Sequence, residues 1–228
     1  IDPFHLEAYG QTTVNYNRDI EIYPVLAAMF EGIYGTCPYQ SPTDMGVNMA
    51  GNCIIDDEVC KEASKQEIIR RYYQSMNRYA NDEATSDEVY KLELLMKQAK
   101  ITTNDRPVVP YANELASKMN SPAAALELPD GTIVTGKTSS LLGAVSAVLL
   151  NAVKKLGGIP DDVHLISPTF IEPIQKLKTD YLGSKNPRLH TDEVLIALSM
   201  CAATDENARA ALMQLPKLTG CQLHTTVI

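Results

Sequence analysis

The chain has 228 residues, 45 % of them hydrophobic, and a formal net charge of −8. That length and apolar share allow one large domain or two small ones with a proper core. The acidic balance argues against nucleic acid or an anionic membrane surface as partner, because both are held by clustered Lys and Arg.

No apolar run approaches the ~20 residues of a membrane span, and no signal peptide is visible. The five cysteines, Cys37, Cys53, Cys60, Cys201 and Cys221, are odd in number and show no C-x-x-C spacing. Disulfide scaffolding and structural zinc are therefore not expected, and a reducing cytoplasm is the simplest compartment. The chain opens Ile1-Asp2-Pro3 without Met, which reads as a piece cut from something longer.

Residues 1–16 are a polar, Tyr-containing lead-in without a clear period. From Asn17 to Gly35, Ile20, Tyr23, Leu26, Phe30 and Ile33 recur at helical spacing, and Pro24 starts or bends that helix. Ser41-Pro42 reads as an N-cap followed by Pro at the first helical position. Residues 57–80 give the clearest helix of the first half, with Ile69, Tyr72, Tyr73, Met76, Tyr79 and Ala80 in one stripe. Glu67 stands three and four residues before Arg70 and Arg71 and is expected on the exposed face. Thr85-x-x-Glu88 reads as a capping box opening the next helix, whose inner face is Val89, Leu92, Met96 and Ala99. A shorter helix follows at 108–119. Residues 1–120 thus read as an all-helical subdomain.

The pattern changes at Asn120-Ser121-Pro122, where residues 121–228 begin an α/β subdomain. Strands are expected near 123–128 and 132–136, and then a helix from about Ser140 to Leu156, closed by Gly157-Gly158. A strand at 163–166 is followed by a helix from Ser167-Pro168 to near Gly183. A further helix is capped by Thr191, another covers about 205–215, and the alternating segment Cys221–Ile228 closes the chain as a strand.

Residues Gly131–Thr138 match the phosphate-loop pattern G-x-x-x-x-G-K-[ST] in full. Local chemistry favours a hairpin instead. Pro129-Asp130-Gly131 is a turn signal, and the four residues between the glycines, Thr132, Ile133, Val134 and Thr135, are all β-branched and suit a strand. A phosphate cradle needs successive N–H groups aimed at one point, whereas a strand aims them alternately.

Five blocks carry a resemblance: IDPFHLEAYGQTTVNYNRDIE, SPTDMGVNMAG, EASKQEIIRRYYQ, ALELPDGTIVTGKTS and GSKNPRLHTDEVLIAL. Together they are similar to a bacterial family described as domain of unknown function 1846 (UPF0371-like), and the whole chain resembles the C-terminal half of its members. The resemblance implies a helical subdomain followed by a mixed-sheet subdomain of cytidine-deaminase-like topology. It also implies an N-terminal half of the same protein as partner. It implies no reaction and no cofactor.

Zinc deamination fails on its motif: the helix after the hairpin has no H-x-E or C-x-E, and no P-C-x-x-C occurs anywhere. No zinc is expected. Lys137, Thr138 and Ser139 sit where a strand meets a helix N-terminus, which favours anions; an ordinary cap with a solvated lysine is the plainer account. The densest polar stretch runs from Gly183 to Glu193. There Arg188 could clamp a phosphate or carboxylate, His190 is the candidate acid or base, and Asn186 adds an amide. Helix capping explains the same residues equally well. Asp44 and Asn48, four apart, form a secondary pair for which capping is again the plainer account.

The expectation is that Asn186, Arg188 and His190 line a concave surface near Lys137 and, with two helix N-termini, make a small anionic-ligand site in an acidic protein. One functional reading is half of a nucleotide-handling enzyme. The other is a non-catalytic structural or homo-oligomerisation module.

Overall fold

The structure, a computed structural model, describes residues 16–42, 44–45 and 57–227, and Asn48 lies outside them. They fall into two compact units divided between Arg106 and Pro107. The fold is α+β: helices with one small antiparallel sheet.

The first unit holds α1 (Tyr16–Tyr34), α2 (Asp57–Ala80) and α3 (Ser86–Ala99), then a 3-10 turn at Thr103–Asp105. Helix α1 runs unbroken through Pro24. Helices α2 and α3 join through Ile68, Ile69, Leu95, Met96 and Ile101, with Tyr72 and Tyr73 against them. The expected stripe of α2 is thus shifted: Ile68 joins it and Tyr79 is exposed.

Glu67 corrects the charge reading, because it is only 2 % exposed. Its carboxylate accepts Nε and Nη2 of Arg70, both at 2.7 Å, and Nε of Arg71 at 2.6 Å. The i, i+3 and i, i+4 spacing that suggested a solvated pair instead lets two arginine stems deliver charge to a buried acid. Thr85 stands at the N-cap of α3 but its side chain makes no cap bond, and Glu88 pairs with Nη1 of Arg78 at 3.2 Å instead. A carboxylate does cap the 3-10 turn, where Asp105 Oδ2 accepts both the Thr102 N–H at 2.6 Å and its hydroxyl at 3.0 Å. Ser41 caps as expected, its Oγ accepting the Asp44 N–H at 3.0 Å.

The second unit holds α4 (Val108–Met119), β1 (Ala123–Glu127), β2 (Ile133–Lys137), α5 (Ala144–Gly157), α6 (Pro168–Lys176), a π turn (Leu177–Tyr181), α7 (Thr191–Cys201), α8 (Glu206–Leu212), a 3-10 turn (Leu215–Leu218) and β3 (Leu223–Thr225). The strand order is β2-β1-β3, and both pairings are antiparallel, with Ala125 opposite Thr135 on one side and His224 on the other. The hairpin therefore forms, with Gly131 at φ 80° in its turn.

Strand β1 is central and covered on both faces. Ala125 meets Val108 and Ala112 of α4, while Ala124, Leu126 and Leu128 meet Ala144, Val148 and Ala152 of α5. Small alanines on a strand let both helices approach closely. Helix α4 therefore stands with the sheet rather than with the helices before residue 120, because its Val108 and Ala112 have the sheet's second face to cover. Gly136 takes close approach furthest: a Cβ there would lie 2.3 Å from Val148 N and 2.7 Å from Val148 Cα.

Two expectations need correction. Residues 163–166 form no strand; Leu165 and Ile166 are buried among α5, α6, α7 and α8 as loop residues, since a short apolar run signals burial before it signals a strand. The sheet is not mixed: its three strands are antiparallel, and parallel pairing among the described residues is confined to an isolated bridge between Leu142 and Leu189.

Candidate functional site

The Leu142–Leu189 bridge decides where the polar side chains of the second unit meet. The Leu189 N–H donates to Leu141 O at 2.9 Å, and Leu189 O accepts the Gly143 N–H at 3.2 Å and Ser146 Oγ at 3.0 Å. These bonds hold residues 141–143 extended, so α5 starts at Ala144 rather than Ser140, with Gly143 as its N-cap. Ser139 closes the preceding turn: its Oγ accepts the N–H groups of Leu141 and Leu142 at 3.2 and 3.0 Å.

The same bridge brings 186–190 beside 139. Arg188 Nε donates to Ser139 O at 2.7 Å, across 49 positions of sequence. Among the described residues Arg188 pairs with no carboxylate, and its two terminal nitrogens meet no acceptor. Asn186 Oδ1 accepts the Arg188 N–H at 3.1 Å, which turns the Asn186 Nδ2 toward His190 Nε2 at 3.4 Å. An amide nitrogen only donates, so that contact is a hydrogen bond in the tautomer whose Nε2 is unprotonated. Arg188 and His190 are exposed and Asn186 is half-buried.

Lys137 ends β2 and is exposed; Thr138 follows, half-buried, its N–H donating to Pro122 O at 2.8 Å. The structure therefore brings Ser139, Asn186, Arg188 and His190 together, with Thr138 and Lys137 one and two residues up the chain from Ser139. Asp44 belongs to the first unit, where its Oδ2 accepts the Gln40 N–H at 2.6 Å. Helix α7 is capped by His190, not Thr191, and Glu193 Oε2 accepts the His190 N–H at 2.7 Å.

One residue of the cluster escaped the sequence reading. Lys178 is 7 % exposed, and its ammonium donates to Arg188 O at 2.6 Å and Glu193 Oε2 at 2.8 Å. Burial alone would raise the Glu193 carboxyl above its ordinary range; the bonds from Lys178 and the His190 N–H outweigh it and hold the carboxyl below that range. The signal was present in the sequence: Ile171, Ile174, Gln175 and Lys178 are spaced 3, 1 and 3 apart and share the inner side of one helix. A lysine in that series needs a partner. Glu193 thus serves Lys178 and the α7 cap, which leaves Arg188 unneutralised.

Among the described residues no group of three or more His, Cys, Asp or Glu side chains could hold a metal ion, and no helix is long and apolar enough to cross a membrane. The cluster offers an outward guanidinium, an imidazole and, at the end of β2, a lysine, groups that can hold an anion.

Two family models match the chain. One, described as domain of unknown function DUF1846, C-terminal, covers residues 104–228; the other, described as DUF1846, N-terminal, covers residues 1–100. The chain is 57 % identical to UPF0371 protein cu0538 of Corynebacterium urealyticum, 59 % to a UPF0371 protein of Corynebacterium aurimucosum and 56 % to UPF0371 protein str1377 of Streptococcus thermophilus. Each match covers the whole chain but 46 % of the relative, so the chain spans about half the length of the relatives it matches.

Proposed function

Because the chain belongs to the DUF1846 family, we propose that its second unit supplies an anion-recognising surface to a longer protein that handles a phosphorylated small molecule, a nucleotide being the first class to test. The observation that carries this reading is Arg188. Its Nε is tied to Ser139 O, while both terminal nitrogens stay without an acceptor among the described residues. A guanidinium fixed at one end loses less conformational freedom on clamping a phosphate or carboxylate. Lys137 adds a second positive charge, and His190 and Asn186 add hydrogen-bonding groups. The remaining half of the longer family protein is the partner that would complete the site.

The test is a thermal-shift series on the chain with inorganic phosphate and a nucleotide panel, since a ligand of the folded state raises its melting temperature by mass action. Arg188→Ala is expected to abolish the shift while leaving the unliganded melting temperature little changed, as for other exposed side chains. A shift of wild-type size in Arg188→Ala refutes the reading.

A second reading, a structural or homo-oligomerisation module, draws on one observation in the first unit. Val25, Met29 and Ile33 of α1 are exposed at i, i+4 and i+8, with Tyr34 beside them, an apolar ridge of the kind that packs on another helix. Sedimentation of the chain alone distinguishes the two: a dimer that Met29→Glu dissociates favours the module.

A further inference from the structure

We infer that Lys178 is a positioning residue that sets the main chain and aim of Arg188, and through Glu193 the main chain of His190; the inference rests on the reading of that surface as an anion site. Lys178 lies in the π turn that follows α6, where the Leu182 N–H reaches back to Leu177 O at 3.0 Å. Such wide turns recur at functional sites. This one carries a cation into a position where helical spacing calls for an apolar side chain. An ammonium buried there without partners would be strongly disfavoured, and its partners are the informative part.

Arg188 C=O and Leu189 N–H belong to one peptide group. Lys178 holds the first at 2.6 Å, and Leu141 O accepts the second at 2.9 Å. That peptide plane is fixed from both ends. The Arg188 N–H on the other side is taken by Asn186 Oδ1. The backbone of residue 188 is thereby held on both sides of its Cα, which directs the side chain to Ser139 O. The same ammonium meets Glu193 Oε2, which accepts the His190 N–H. One buried cation thus governs the main chain at Arg188 and at His190 without facing a ligand.

The experiment uses the 228-residue chain labelled with ¹⁵N. The Arg188 Nε–H resonance, assigned by its absence in Arg188→Ala, reports the bond to Ser139 O, and inorganic phosphate is the binding probe. Lys178→Met is expected to keep the far-UV spectrum, to lose the exchange-protected Arg188 Nε–H resonance and to weaken phosphate binding about tenfold or more. Lys178→Arg, which keeps a buried cation with donors, restores part of both. An unchanged Nε–H resonance in Lys178→Met overturns the inference whatever the phosphate titration gives. Phosphate binding of wild-type strength in Arg188→Ala, or none in the wild type, overturns the anion reading instead, and the resonance then decides the role of Lys178 by itself. If Lys178→Met does not fold, Lys178→Gln, a donor on a shorter arm, is put through the same comparison.

Discussion

Replacing Gly136 with Ala tests whether this glycine serves packing or phosphate. An added Cβ would stand 2.3 Å from Val148 N, 2.7 Å from Val148 Cα and 2.8 Å from Ala147 C. All three are backbone atoms of α5, so no rotamer change relieves the contact. Ordinary carbon contacts lie at ~3.5–4.0 Å, so helix and strand must separate by about 1 Å along the face that joins Val148 to Ala124 and Leu126. Overpacking of this kind costs about 1–3 kcal/mol. Gly→Ala at a compatible backbone would return ~0.4–1 kcal/mol through the unfolded chain, which offsets only part of a cost that backbone-on-backbone contact puts in the middle or upper part of the overpacking range. The net expectation is a loss of about 1–2 kcal/mol, which for a chain of this size is a fall of roughly 2–8 °C in melting temperature. Urea unfolding followed by far-UV circular dichroism measures it. A variant as stable as the wild type, or more stable, refutes the packing argument.

The pH dependence of Glu193 has a defined sign. Its folded pKa lies below the ordinary 4.5, so the stability it contributes is present above the unfolded value and is lost as pH falls through the folded one. The stability gap between wild type and Glu193→Gln, followed by urea unfolding, should therefore narrow as pH drops below 4.5; a gap that stays constant into strong acid contradicts the assignment. Two caps give opposite expectations. Asp205 Oδ1 accepts the Ala208 N–H at 2.8 Å, so Asp205→Ala should cost about 1 kcal/mol. Thr85 makes no cap bond, so Thr85→Ala should fall within ~0.5 kcal/mol of the wild type by the same denaturation assay.

Much of the local structure was legible in the sequence where local chemistry decides it. Helices 57–80 and 108–119 follow apolar periodicity, and the hairpin follows Pro129-Asp130-Gly131 and the β-branched run after it. What was not legible depends on partners distant in the chain. The start of α5 is delayed because Leu141 and Gly143 are bonded to Leu189. Glu67 is buried because of what surrounds it, although its spacing fits a solvated pair just as well. For the candidate surface, composition could nominate Lys137, Ser139, Asn186, Arg188 and His190, but not the 49-residue link from Arg188 to Ser139. Lys178 could have been nominated as well, since a charge on an inner helical position is a readable conflict. The phosphate-loop pattern shows the converse hazard. Its second glycine is explained by a helix lying against a strand, and a pattern match records the glycine without recording what needs the room.

The Leu142–Leu189 junction has a consequence for how this surface could change over time. Its ties are mostly peptide-to-peptide, and peptide groups are common to every residue but proline. The frame that presents positions 188 and 190 therefore depends little on which side chains stand at those two positions, so long as Asn186 and Lys178 keep their bonds to the backbone of 188. Mutational drift could exchange a guanidinium for an amide or an imidazole for a hydroxyl and leave the loop in place, giving a platform on which relatives could diverge in ligand preference without having to find a new fold.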